Sequence, residues 1–230
     1  VDHLRKKSLF LKKKINFKKN NYILDIGSND GTFTNFFDGP NIFGIDPSIK
    51  KLRKYYKKSV NKLPHFFEHG YNFIKNKKFK LISVIAMFYD LEDPISFIKK
   101  VKKILKDDGI FHVEVAYLPE IIKTFAYDGF CQEHYEYYSL ISLNYLCKKT
   151  DMKIIDFGFN KINGGSIWLN ISHLKSAFKT DDIKLKRQIA YEIKKKIDKP
   201  ETYKKYFKKV FDHAKKLNFI IRKLKNDNKI

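Results

Sequence analysis

Cysteine is almost absent from this chain: Cys131 and Cys147 are the only two in 230 residues. Two thiols make no disulfide framework and no zinc-ligand spacing, so a cytoplasmic setting without a metal is expected. Arginine is nearly as scarce. Arg5, Arg53, Arg187 and Arg222 are the only arginines among 48 basic residues. Bidentate recognition of bases and phosphates relies on arginine, so the formal charge of +23 does not imply specific nucleic-acid binding. Lysine, asparagine, isoleucine, phenylalanine and tyrosine are abundant together, as in an AT-rich genome, and the lysines then serve as solvated surface. Weak, salt-sensitive attraction to polyanions is what they imply. No apolar run approaches a membrane span, and the lysine-bearing N-terminus has no apolar core of secretory type. Neither GxxxxGK[ST] nor GxGxxG occurs, which removes the phosphate loop and the dinucleotide fingerprint.

What is present suffices for a core. Hydrophobic residues make up 43% of the chain, and its length holds one large domain with an appendage. The organising stretch runs from Tyr22 to Ser48. Tyr22, Ile23, Leu24 and Ile26 form a short apolar run, predicted as a buried parallel strand. Gly27 and Gly31 bracket Ser28-Asn29-Asp30, and Thr32 to Phe37 is predicted to open a helix whose N-terminus offers N–H groups to an anion. A second strand, 41–45, ends at Asp46, where a carboxylate can accept hydrogen bonds from both hydroxyls of a ribose. Asn29 and Thr32 stand where a dinucleotide site needs glycine, so a ligand with a ribose and a carboxylate but no phosphate fits best. S-adenosylmethionine is that ligand, and the stretch resembles the first motif of class I methyltransferases. Asp25, Gly27, Ser28, Asn29, Gly31, Asp46, Pro47 and Met87 are the expected donor-binding residues.

Around this stretch strand and helix alternate. Residues 3–19 predict a helix laid over the sheet edge, and Ser48 is placed to cap a helix through Tyr56. Leu63 to Phe67 reads as a third strand, followed by Glu68 and His69 in a surface loop or beside an adenine. Leu81 to Met87 reads as a fourth strand. Asp93-Pro94 starts a helix that Asp107-Asp108-Gly109 stops, and Ile110 to Ala116 is a fifth strand. The fold class is therefore α/β, a doubly wound Rossmann-like sheet that binds ligands at the carboxyl ends of its strands. Gly27, Asp46, Met87, Phe88 and Tyr117 are predicted at that edge. Lys153–Phe159 and Ser166–Ser172 read as an antiparallel hairpin closing the sheet, and 178–230 as helix throughout. In the second helix of this stretch, with Pro200 near its start, Tyr203, Phe207, Val210, Ala214, Leu217, Ile221 and Leu224 form a stripe that must bury against something. The expected division is a methyltransferase-type domain over 1–175 and a helical C-terminal arm over 176–230.

The segment between Asp128 and Ser139 gathers Cys131, Glu133, His134, Tyr135, Glu136, Tyr137 and Tyr138. Loops of this composition on a rigid scaffold concentrate chemistry. Histidine takes a proton near neutral pH, a carboxylate orients its ring, and a tyrosine hydroxyl stabilises an oxyanion. On residues alone, His134 is either such a base or a packed loop histidine bonded to backbone. The segments LDIGSNDGTF, FGIDPS, EDPISFI, GIFHVEVAYLP, 130–140 and NGGSIWLNI occur in that order. Together they resemble the sugar C-methyltransferases that act on nucleotide-linked keto-deoxysugars. The resemblance implies carbon methylation from S-adenosylmethionine, with a nucleotide sugar as the small-molecule partner. It implies His134 as the base and Glu133 as its support; Tyr137 is expected as the third catalytic residue, its hydroxyl stabilising an oxyanion. It further implies that this chain is the central part of such an enzyme, without the family's N-terminal zinc-binding domain and its last α/β segment. Cys131 and Gln132 stand where the family has tyrosine and histidine. That departure keeps open an O- or N-methyltransferase on another small metabolite, or a donor-binding module of a larger assembly.

Overall fold

The computed structural model describes residues 1–227. Seven strands form one sheet in the order β3-β2-β1-β4-β5-β7-β6. Their ranges are β1 Ile23–Ile26, β2 Ile42–Ile45, β3 Asn61–Leu63, β4 Phe79–Ile85, β5 Leu105–Ala116, β6 Met152–Asn160 and β7 Ser166–His173. β1 to β5 pair in parallel; β7 runs antiparallel to both β5 and β6. The sheet is the doubly wound class expected, with the antiparallel end supplied by the 152–173 hairpin.

Side chains alternate between two faces, and each face has its own core. On one, Leu24, Ile26, Ile82, Val84, Phe111 and Val113 meet helices α3 (Phe67–Gly70), α4 (Pro94–Ile104) and α6 (Leu140–Lys149). α4 forms because Phe97, Ile98, Val101 and Ile104 recur on one side, while Asp93 accepts Ser96 N–H at 2.9 Å and Pro94 pre-sets the first turn. On the other face, Ile23, Leu81 and Ile110 meet Leu11 of helix α1 (Asp2–Lys14) and Ile15 just after it. α1 thus lies across the middle of the sheet rather than over its edge. It has to: its apolar residues match the inward rows of β1, β4 and β5, and Lys7 pairs with Glu114 of β5.

Other boundaries moved for local reasons. After Gly31 only a 3₁₀ turn forms, Thr34–Phe36, so no α-helix N-terminus faces an anion there. β3 stops at Leu63, before Pro64, and Phe67 opens α3 instead of ending a strand. Proline lacks the N–H that a strand continuation needs. α4 ends at Ile104, and Asp107-Asp108-Gly109 lies within β5 as an irregularity between the Phe79–Leu105 and Leu81–Ile110 pairs. α2 spans only Ile49–Leu52, with Ser48 at its N-cap making no side-chain cap bond, and α5 (Leu118–Thr124) follows β5 directly.

The C-terminal part is two helices, as expected, α7 (Asp182–Lys194) and α8 (Pro200–Asn226), with 178–181 and 195–199 outside them; the end of the expected stretch lies outside the described residues. α7 is bolted to the sheet domain by Glu192, which is 0% exposed. Its carboxylate accepts Leu140 N–H at 2.8 Å, Ile141 N–H at 2.9 Å and Tyr117 O–H at 2.5 Å. A carboxylate at the N-terminus of α6 meets the positive end of that helix. Along α8, Tyr206 is buried, whereas Phe211, Phe219 and Ile220 are exposed.

Candidate active site

The Gly27–Gly31 turn sits between the ends of β1 and β2. Gly27 and Gly31 have φ of +75° and +78°. A Cβ on Gly31 would lie 2.4 Å from the Tyr56 ring, and one on Gly27 would lie 3.0 Å from Met87 Cβ. Tyr56 is what shapes the turn: its hydroxyl donates to Asn29 O at 2.8 Å and lies 2.7 Å from Ser28 Oγ. Asp46 closes the other side. Its Oδ2 accepts Asn29 N–H at 2.9 Å and its Oδ1 accepts Ser48 N–H at 2.7 Å. The carboxylate, not the Ser48 hydroxyl, therefore terminates this backbone, and each oxygen retains acceptor capacity for a further donor.

Two cavities of about 740 Å³ each open along the carboxyl edge. Gly27, Asp46, Met87 and Asp90 line both. The first continues past Asp25, Ser28 and Asn29 to His3, Glu114 and Ser166. The second continues past Pro47 to Phe66, Phe67 and Glu68. Of the expected donor residues, Asp25, Gly27, Ser28, Asn29, Asp46, Pro47 and Met87 are brought to these walls, while Gly31 acts from behind by admitting Tyr56. Phe88 is buried beneath the site and Tyr117 turns aside to Glu192 and Gln188, so these two leave the edge.

Asp25 occupies a buried polar rung that crosses the sheet. Register pairs Asp25 with Ser83, Ser83 with His112, and His112 with Asn170. Ser83 Oγ donates to Asp25 at 2.6 Å, and His112 Nδ1 lies 2.8 Å from Asn170 Oδ1. Burial pushes the Asp25 carboxyl up to about 7; Ser83 pulls against it and the charge of Asp46 adds to it. Burial pushes the His112 imidazole down to about 3.

The loop residues fall less neatly. His134 is half-buried, its ring 4.1 Å from that of Tyr89 and 5.9 Å from that of Tyr137. Its Nε2 lies 3.9 Å from Asp90 Oδ1. Glu133 is exposed, and among the described residues it makes no hydrogen bond to His134; the expected supporting carboxylate is replaced in this geometry by Asp90. The cause is the local turn, in which His134 N–H donates to Cys131 O at 3.3 Å and Glu133 faces solvent. Burial holds the Asp90 carboxyl above its ordinary range, with His134 opposing and Glu133 adding to the rise. Tyr137 donates weakly to Gly129 O at 3.4 Å. None of Glu133, His134 and Tyr137 is among the residues lining the two cavities; Asp90 bridges them to the edge. Asp90 and the His3–Glu114 pair are the site residues that sequence reasoning passed over.

Residues 3–156 match the model of the methyltransferase domain family. The chain belongs to that family. Residues 161–230 of this methyltransferase match a second model, the C-methyltransferase C-terminal domain. The chain is similar to C-methyltransferase NovU of Streptomyces niveus, 28% identical over 172 residues that cover 73% of this chain and 41% of NovU. It is also similar to the tRNA U34 carboxymethyltransferase of Campylobacter lari, 29% identical over 109 residues, covering 44% and 38% respectively. The chain thus spans about two fifths of the length of these relatives. Among solved structures, the plantazolicin methyltransferase BamL aligns at TM-score 0.58 and 14% identity, over 75% of this chain and 85% of BamL. A complex of the Haloferax volcanii Trm112 methyltransferase activator aligns at TM-score 0.58 and 13% identity, over 74% and 89%. At such identities these two share the fold. The methyl donor of this methyltransferase is S-adenosylmethionine, and the cradle fits it: a glycine turn with no Cβ in the way, a carboxylate with spare acceptor capacity, and adjoining cavities on either side.

Proposed function

We propose that this methyltransferase acts on carbon, methylating a nucleotide-linked keto-deoxysugar. The observation that carries it is the match of 161–230 to a C-methyltransferase C-terminal domain, alongside the similarity to C-methyltransferase NovU. Asp46 would hold the ribose of the donor, Pro47 and Phe66 its adenine, and the Asp25-to-Asn29 wall its methionine end. S-adenosylmethionine supplies an electrophilic methyl group on a sulfonium.

Carbon beside a ketone must lose a proton before it can take a methyl group, so the reaction needs a placed base. In this proposal His134 accepts that proton, the electron pair passes to the carbonyl oxygen, and the Tyr137 hydroxyl donates to the resulting enolate. Asp90, 3.9 Å from the ring, offsets the charge that the imidazole acquires. Glu133 adds negative potential from the solvent side.

The test uses heavy water, a keto-deoxysugar nucleotide and no donor. Wild type should exchange the hydrogen on the carbon beside the ketone, and His134→Ala should lose roughly 10²–10⁴-fold in exchange and in methyl transfer. Persistence of exchange in the variant would put the base elsewhere. Methyl found on oxygen or nitrogen would select the alternative chemistry and return His134 to a packed loop residue.

A further inference from the structure

The chain carries 48 lysines and arginines, yet among the described residues none lines the first cavity. Its acidic wall is Asp25, Asp30, Asp46, Asp90 and Glu114, with His3 as the one basic side chain. His3 comes from the first turn of α1, which Val1 and Leu4 also bring to this wall, so the positive end of that helix dipole faces the same space.

His3 is held firmly. Its Nε2 lies 2.6 Å from Glu114 Oε1, which makes Nε2 the donor and leaves Nδ1 without a hydrogen bond among the described residues. Glu114 is 3% exposed, and its other oxygen lies 2.7 Å from Nζ of the buried Lys7. Lys7 in turn lies over the Trp168 ring, 4.8 Å from its centroid. Lys7 already balances the Glu114 charge. The role left to Glu114 toward His3 is orientation.

A wall of carboxylates suits the cationic groups of S-adenosylmethionine, its sulfonium and its ammonium. The carboxylate of the same amino-acid end needs a cation, and one side chain on the wall can be one. We propose that His3 is the clamp for the donor's carboxylate, bonding it through Nδ1–H, with Glu114 as its positioning residue. The inference rests on the placement of the donor's methionine end proposed above, in the first cavity.

The test is a cycle between protein and ligand, read by calorimetry on the whole chain with S-adenosylmethionine and its decarboxylated analogue. Wild type should prefer the carboxylate-bearing donor by about tenfold or more, and His3→Ala should lose that preference while binding the analogue within about twofold of wild type. Glu114→Gln should lose part of the preference. Because both ligands are measured on one sample, their ratio is untouched by any unfolded fraction. A variant that weakens both ligands equally, or neither, overturns the proposal. So does His3→Ala that keeps donor affinity and loses methyl transfer, which would make His3 a base. If wild type binds both ligands equally, the clamp fails alone; if it binds neither, the placement of the donor fails with it.

Discussion

Replacing Asp46 by alanine tests the donor site at its centre. Both oxygens of this carboxylate already accept backbone N–H groups, from Asn29 and Ser48. Two ribose hydroxyls would add two charge-assisted bonds, each worth roughly 1.5–3 kcal/mol when made inside a protein. Asp46 is half-exposed, which places each bond at the lower end of that range or below it. The expected loss of donor affinity is therefore about 2–4 kcal/mol, or roughly 30- to 700-fold. Stability should change far less, because water can reach the two released N–H groups; about 1 kcal/mol is expected. Asparagine provides a sharper version. Its carbonyl oxygen can keep one backbone N–H, but its NH₂ then confronts the other, so the donor loss should be intermediate, about tenfold. Titration with S-adenosylhomocysteine reads the affinity, and thermal melting reads the fold. A well-folded Asp46→Ala protein that binds within twofold of wild type would refute the assignment of the ribose to this carboxylate.

Three further outcomes follow from the same geometry. Gly31→Ala should cost about 1–3 kcal/mol in urea unfolding, since its Cβ meets Tyr56 at 2.4 Å on a backbone at φ +78°; an unchanged midpoint would mean the ring is free to move. His112 is held down at about 3 by burial first and Lys7 second, so the folded protein binds fewer protons than the unfolded chain between about pH 6.5 and 3. That contribution to stability is complete above pH 6.5 and lost as pH falls through the window; His112→Asn should flatten this limb of the urea-midpoint profile, and parallel profiles would contradict it. Asp25, raised to about 7 by burial, holds a proton in the folded state that the unfolded chain releases near 3.8, so its contribution is present below 3.8 and lost as pH rises through 7. A cationic donor favours the ionised form, so binding at about pH 6 should release protons in wild type and not in Asp25→Asn, as read by calorimetry in buffers of differing ionisation enthalpy.

The parts of this protein that sequence alone determined are those governed by neighbours in the chain. Ile23–Ile26 could only be a buried strand, and Gly27 and Gly31 could only be a turn that leaves the left-handed region open. Asp93-Pro94 announces the start of α4 through a cap that operates within three residues. Asp46 follows from the end of β2, because strands in such a sheet deliver their last residues to one edge. Tertiary structure decided what meets across that edge. His3 and Glu114 are 111 residues apart and join only because α1 crosses the sheet face, a placement that helical periodicity does not encode. The rung from Asp25 through Ser83 and His112 to Asn170 depends on register between four strands; along each strand its members look like single polar interruptions in apolar runs. The resemblance pairs Glu133 with His134, whereas the fold brings Asp90 to that ring from the turn after β4. Chain neighbours in a tight turn diverge, and groups from separate elements converge, because packing of the sheet and its helices, not sequence distance, sets which side chains share a volume.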